Sequence, residues 1–264
     1  MSIHPSAVVD PAAEVERSAT IGPHVVVEGP AKIGADCRIG PGAVIMGHTT
    51  LGSGCRVHSH AVVGDQPQDF KYAGGVSYCL IGEGTTIREG ATVHRGTAEG
   101  SATIVGKHCL LMTNSHVGHN CQLGDKVTLV SGALLGGHVQ VGDRAIISGN
   151  AAVHQFVRIG ELALVGMLAR IVQDVPPFCI TDRDGLVVAE NRVGMMRAGL
   201  TRPERDELKA AYQTLHRSGI GRNDAINYLQ AAVRTDAGRR LLDFFLDSSG
   251  RGAGIRAFKP SHAA

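Results

Sequence analysis

The chain has 264 residues, with 26 Lys and Arg against 24 Asp and Glu, a formal charge of +2 with His neutral. That balance is too small to argue for nucleic acid as a partner, and no apolar run approaches the ~18 residues of a membrane span. Apolar residues at 43% exclude a disordered chain, while 10 Pro without any G-x-y period exclude collagen. The N-terminus, MSIHPSAVVD, has no basic stretch followed by an apolar core, so no secretory signal is read and a cytoplasmic protein is expected. With only 4% aromatics, the core must be built from small and branched aliphatics.

A period of six begins at Ile3. Stepping six residues at a time to Ile171 visits 29 positions, of which 26 are Ile, Leu or Val, the exceptions being Asp69, Gly75 and Glu99. Since 45 of residues 1–174 are Ile, Leu or Val, chance fills only seven or eight of those slots. The residue after the aliphatic is Gly in 14 of 29 repeats, and the fourth after it is Ala, Cys, Ser, Thr or Val in 28 of 29. Neither a helix nor an alternating strand has this period. A parallel β-helix does, with three hexapeptides making one triangular coil and the coils stacking ~4.8 Å apart. The aliphatic is expected to point inward, the small residue to fill the tight slot, and Gly to supply the φ needed at a bend. Five of the six cysteines (Cys37, Cys55, Cys79, Cys109, Cys121) take the small slot, as small buried hydrophobes.

Two segments break the residue pattern without breaking the count, residues 66–80 (QPQDFKYAGGVSYCL) and 97–104 (TAEGSATI). Each is expected to replace faces of the coil with a projecting loop, where chemistry is often placed. The period stops at Pro176-Pro177. The mostly β domain therefore covers 1–178, and a small, mainly helical domain covers 179–264. Asp184-Gly185 reads as a tight turn between extended pieces. Thr201, Pro203 and Glu204 form the capping box of a helix running to Arg217, ended by Gly219. Further helices are expected at 223–234 and 236–248, and the last eight residues are expected to fray.

Of 13 histidines, those at His24, His48 and His108 are expected at the surface. The hexapeptides beginning Val117, Leu135 and Val153 are each separated by one full coil and should stack on one face. That brings His119, His138 and His154 together, with His116, Asn120 and Gln155 beside them. A neutral imidazole suits removal of a hydroxyl proton, and Gly136-Gly137 can present a backbone N–H to an oxyanion.

The repeat resembles the hexapeptide-repeat acyltransferases, which implies a left-handed coil and a homotrimer with sites between subunits. DQPQDFKYAGG (65–75), TVHRGT (92–97), LLMTNSHVGHNC (110–121), LLGGHV (134–139), AVHQFVRIG (152–160) and QDVPPF (173–178) resemble, within that group, the UDP-N-acetylglucosamine O-acyltransferase family of lipid A biosynthesis. The resemblance implies transfer of a 3-hydroxyacyl chain from acyl carrier protein to the sugar 3-hydroxyl. It implies His119 as general base and the Gly137 N–H as oxyanion donor. His138, Asp69 and Gln68 would hold the sugar and reacting groups, and Lys71 would lie near phosphate or acyl. His116, His154 and Gln155 would line the cleft. Asn191 and Arg197 would contact nucleotide or the pantetheine arm across a subunit boundary. No metal or resident cofactor is implied, since phosphopantetheine arrives on the donor. Arg197, Arg202, Arg205, Lys209 and Arg217 are candidates to face the acidic carrier protein.

Three positions depart from that family's pattern. Asn120 and Val193 stand where acidic residues are usual, which leaves the acceptor open between UDP-N-acetylglucosamine and its 3-amino analogue. Met167 stands where long-chain members have Gly, which implies a shorter acyl chain of about ten to twelve carbons. Two other readings stand beside this one. The related N-acyltransferase carries a uridine-binding domain before its coil, whereas this repeat begins at Ile3. A γ-carbonic-anhydrase-like zinc hydratase would use His116, His119 and His138, whose i, i+3 pair is not that family's spacing.

Overall fold

The computed structural model describes residues 2–217 and 219–247; the expected fraying of the last eight residues and the side chain of Arg217 lie outside the described residues. Residues 2–181 wind into a left-handed parallel β-helix. Short strands, mostly of two residues, fall on three faces. The first face runs from Ser2–Ile3 to Leu164–Val165, the second from Val8–Val9 to Arg170–Ile171, and the third from Glu14–Val15 to Arg158–Ile159. Within each face Ile or Val sits over its counterpart in the next coil, as in Ile21 on Ile39 and Val27 on Ile45. The aliphatic slots are sealed: Ile45, Ile87, Leu111, Leu129 and Ile147 are fully buried. So are the five cysteines of the small slot, as free thiols.

The glycines after the aliphatic serve a purpose different from the one expected. Except at Gly64 and Gly100, they do not supply positive φ. That conformation falls two residues later, at Asp36, Asn114, Asn120 and His138 among others. The glycine is needed because the next coil lies against it: a Cβ on Gly118 would stand 2.8 Å from the Leu135 carbonyl and 2.9 Å from the Gly137 nitrogen. The corner residues themselves explain part of the histidine count. His24, His48, His60, His108 and His138 all occupy left-handed corners with φ between 53° and 61°, a conformation that His, Asn and Asp tolerate better than most residues.

Each coil keeps all three faces, so the two loops are additions rather than the expected replacements. Ordinary third-face partners, such as Ile33 and Leu51, are separated by three hexapeptides. Leu51 and its partner Ile81 are separated by five, and Ile81 and Val105 by four. The inserted segments leave after the second-face strands Val62–Asp65 and Thr92–His94, and return as the third-face strands Tyr78–Ile81 and Ala102–Val105. Both therefore project from the same edge of the prism. They brace each other: Arg95 donates to the Tyr72 hydroxyl at 2.8 Å, and the Val76 N–H donates to Glu99 at 2.8 Å.

Past residue 178 the first face continues into an antiparallel hairpin, Cys179–Thr181 with Val187–Glu190, turning at Gly185. Four helices follow: α1 (Arg192–Arg197), α2 (Arg202–Arg217), α3 (Arg222–Ala232) and α4 (Asp236–Leu246). The short α1 has no counterpart among the expected helices. The capping box of α2 is present, with Thr201 N–H donating to Glu204 Oε2 at 2.7 Å. The helices are joined to the coil by a buried ion pair. Arg158 donates to Asp174 at 2.8 Å and to the Phe244 carbonyl of α4 at 3.1 Å, with its guanidinium 4.3 Å from the Phe244 ring centre. The Tyr212 hydroxyl of α2 donates to the Pro177 carbonyl.

Candidate active site

The edge between the second and third faces carries the histidines as well as both loops. Three corners stack there, Gly118-His119-Asn120, Gly136-Gly137-His138 and His154-Gln155-Phe156, each following an aliphatic of the second face. The register places like positions over one another. Gly137 follows His119 in one column, and a Cβ on it would stand 2.5 Å from His119 Nε2. Asn120, His138 and Phe156 form the next column, and His138 stacks on Phe156 with ring centroids 4.8 Å apart. The His119 and His138 rings meet edge-on at 5.2 Å.

A cleft of about 370 Å³ opens against this edge, lined by Gln68, His94, His116, His119, His154 and Gln155 along with glycines 118, 136 and 137. His119 is held on one side by Thr97 Oγ1 at 2.7 Å and Asn120 Oδ1 at 3.0 Å from Nδ1. On the other side, Asp69 Oδ2 lies 3.7 Å from Nε2. Asp69 is fixed by the loop itself, accepting the Lys71 N–H at 2.9 Å. The Gly136 N–H is spent on the Val153 carbonyl and the His138 N–H on the His119 carbonyl. Between them, the Gly137 N–H takes no part in the ladder among the described residues, and it belongs to a lining glycine of the cleft.

The His116 ring shares a hydrogen bond with Thr92 Oγ1 at 2.8 Å. Burial first, then the neighbouring His94 and His119, push its pKa down to about 4. His138 is also lowered, by burial and then by His119, with Asp69 opposing. Both rings are thus neutral at pH 7, which keeps added positive charge away from His119.

Gln68, Asp69, His116, His119, Gly137, His138, His154 and Gln155 are brought together. Lys71 is exposed on the same loop. Three other expected residues are not in this cleft. Asn191 is buried and caps α1, its Oδ1 accepting from Gly194 and its Nδ2 donating to the Leu162 carbonyl. Arg197 ends α1 and is exposed. Met167, 66% exposed, sits on the corner between the first and second faces, away from the imidazole edge. Two residues of the site escape the sequence reading. His94 is buried and donates from Nδ1 to the Gln66 carbonyl, and Thr97 contacts His119. Both are hidden because the coil that holds them is one hexapeptide longer than an ordinary coil, with Thr92 pairing with His116. The TVHRGT motif is the signal that points to them.

A wider groove of about 590 Å³ lies on the third face beside α4. It carries no cluster of imidazoles among the described residues, and its charged groups are paired, Arg240 with Glu161 and Arg158 with Asp174. Among the described residues, no group of three or more His, Cys, Asp or Glu is arranged to hold a metal ion, and no helix is long and apolar enough to cross a membrane.

Comparison with known proteins assigns the chain to a family. A model of the second domain of UDP N-acetylglucosamine O-acyltransferase matches residues 174–254, and a bacterial transferase hexapeptide model matches 30–65 and 102–137. The acyl-[acyl-carrier-protein]–UDP-N-acetylglucosamine O-acyltransferase of Anaeromyxobacter sp. (strain Fw109-5) is 45% identical over 88% of this chain and 91% of its own length. The chain belongs to the UDP-N-acetylglucosamine O-acyltransferase family. The Halorhodospira halophila protein of the same name is 40% identical over 95% of this chain and 98% of its own. The solved UDP-N-acetylglucosamine acyltransferase of Francisella novicida superposes with a TM-score of 0.92 at 33% identity, covering 98% of this chain and 95% of that one. The Moraxella catarrhalis UDP-N-acetylglucosamine O-acyltransferase gives 0.92 at 34% identity, over 97% and 99%. Such coverage reaches the hairpin and helices beyond the coil, so both parts of the described chain share the fold of these proteins.

Proposed function

We propose that the chain transfers a (R)-3-hydroxyacyl group from acyl carrier protein to the 3-hydroxyl of UDP-N-acetylglucosamine, with His119 as general base. The observation that supports this reading is the column of His119 and Gly137, which sets an imidazole and a backbone N–H outside the ladder side by side in one cleft. His119 Nε2 takes the proton of the sugar hydroxyl as its oxygen attacks the thioester carbonyl. The Gly137 N–H stabilises the oxyanion that forms. The C–S bond then breaks, and the imidazolium returns the proton to the departing thiolate, leaving the pantetheine thiol. This sequence needs no resident metal or organic cofactor.

Gln68, Asp69 and His138 hold the acceptor, and Lys71 faces its phosphates or the acyl group. Because Asn191, Arg197 and Met167 are remote from the cleft of one protomer, their roles in the nucleotide, the pantetheine arm and the acyl chain require a second copy, as in a homotrimer. Met167 bulk then shortens the acyl groove to about ten to twelve carbons. Arg197, Arg202 and Lys209 are the basic groups available to acyl carrier protein, while Arg205 is turned back onto the Leu200 carbonyl. Asn120 and Val193 remove negative charge on the acceptor side, and for that reason the 3-amino sugar is the second reading.

A mass-spectrometric product assay tests this. UDP-N-acetylglucosamine and its 3-amino analogue are each incubated with 3-hydroxyacyl carrier proteins of ten to fourteen carbons. An acylated UDP-sugar absent with His119→Ala supports the reaction and names acceptor and chain together. No product with either acceptor from a folded oligomer overturns it.

A further inference from the structure

The ring of His119 has two nitrogens, and only one placement of its proton leaves Nε2 able to accept a hydrogen. Resting on the reading of His119 as base, we infer that Thr97 is a positioning residue that fixes this tautomer, through its backbone N–H as well as its hydroxyl.

One donor beside the ring has an identity beyond choice. The Thr97 backbone N–H points at the Asn120 side chain, 3.0 Å from the oxygen. An N–H can only donate, so the amide atom facing it is Oδ1 and not the NH₂ group. That same Oδ1 lies 3.0 Å from His119 Nδ1. A carbonyl oxygen can only accept, so Nδ1 must carry a proton, which in the neutral ring leaves Nε2 the lone pair. The Thr97 hydroxyl, 2.7 Å from Nδ1, is the nearer acceptor of the same N–H. Nε2 is thereby presented to the cleft, toward Asp69.

The arrangement divides between two places what a single carboxylate beside Nδ1 would do. Asn120 and Thr97 orient the ring without charge. Among the described residues, the carboxylate facing the ring is Asp69, on the Nε2 side, where it stabilises the imidazolium after proton transfer. The other titratable groups facing His119 are His116 and His138, both lowered by burial. The anchor is built by the second loop. Asn120 N–H donates to Thr103 Oγ1 at 2.7 Å, and Ser77 Oγ donates to the Gly96 carbonyl at 2.5 Å, so the segment carrying Thr97 is tied at one end to the coil and at the other to the base of the first loop. The inserted hexapeptide of that coil is what brings Thr97 over His119.

The test compares Thr97→Val, Thr97→Ser, Asn120→Gly and Asn120→Asp with the intact protein, with His119→Ala as the separate control on the base. Asn120→Gly keeps the left-handed corner, where φ is 60°. Nitrogen-15 spectra of histidine-labelled protein read the tautomer directly and need no variant. Expected are an Nδ1–H, Nε2-unprotonated His119 in the intact protein and a kcat lowered about tenfold by Thr97→Val, as for loss of one hydrogen bond. Asn120→Gly should lower kcat in the same way. KM for the sugar should be little changed, and Thr97→Ser should restore kcat. Asn120→Asp should move the acid limb of kcat/KM to higher pH, because a carboxylate beside Nδ1 favours the imidazolium. An Nε2–H tautomer in the intact protein, or an unchanged kcat and pH profile for Thr97→Val, overturns the inference. Retained activity in His119→Ala overturns the base itself, which is a different failure.

Discussion

His138 lies flat against Phe156, their ring planes 16° from parallel. Phe156 is otherwise 56% exposed, so its ring serves as a cover for the imidazole more than as part of the core. Removing the cover should rehydrate His138. Proton NMR titration of Phe156→Ala should show the His138 pKa rising toward its ordinary 6.5, since burial is the first cause of its lowering. An unchanged titration would show that the lowering comes from His119 instead.

The His116 shift has a stability consequence with a definite sign. Above the ordinary 6.5 the ring is neutral in both folded and unfolded chains. As pH falls toward the folded value of about 4, the unfolded chain binds the proton first, so stability is lost across that window. Urea midpoints measured from pH 7 to pH 4 should fall, and fall less in His116→Asn. Equal slopes in the two proteins would remove His116 as the cause.

Gly137→Ala should separate catalysis from folding. The new Cβ would meet His119 Nε2 at 2.5 Å and Cε1 at 2.6 Å, displacing the ring. A displacement of ~1 Å at a reacting group costs about 100-fold in rate, while the methyl faces the cleft and not the core. We expect kcat to fall by that order with a melting temperature close to that of the parent.

Arg158 and Asp174 are 8% and 2% exposed in their side chains, so each is the other's replacement for water. Arg158→Ala should cost about 3–5 kcal/mol by stranding the Asp174 carboxylate. The double change Arg158→Met, Asp174→Leu should recover a good part of it in thermal melts. A double variant as unstable as the single one would show that Arg158 acts through its contacts with Phe244.

Chain-length preference offers a test of Met167. Its side chain is largely exposed in one protomer, so Met167→Gly should leave stability nearly unchanged. Competition between donors of ten and fourteen carbons should shift toward the longer one. No shift would place the end of the acyl groove elsewhere.

The coil is legible because the side-chain period follows from its three flat faces: an inward aliphatic every six residues has no other simple explanation. What the period does not show is where backbone, not side chains, sets the rule. The corner φ of His48 or Asn120 and the close approach at Gly118 both produce ordinary-looking surface residues in sequence. The imidazole edge is legible where the coils are regular, at His119, His138 and His154. It is not legible one coil earlier, since His94 and Thr97 are displaced by inserted residues that change the arithmetic but not the stacking. Asn191 shows the opposite limit. Its residue type suits a ligand contact equally well, and only its two bonds, to Gly194 and Leu162, reveal a helix cap.

The ladder bonds of the coil run from one turn to the next, as from Val8 N–H to the Val25 carbonyl and from Val26 N–H to the Ala43 carbonyl. They lie along the long axis, so a force applied along that axis would load them directly in tension, one turn at a time, instead of sharing the load as strands in shear do. The weakest turn is the first, where Ile3, Val9 and Val15 are only half-buried. The far end is covered by the hairpin and the helices. Pulled from both ends, the protein should yield from its N-terminal turn in steps of one coil, each releasing about 60 Å of chain.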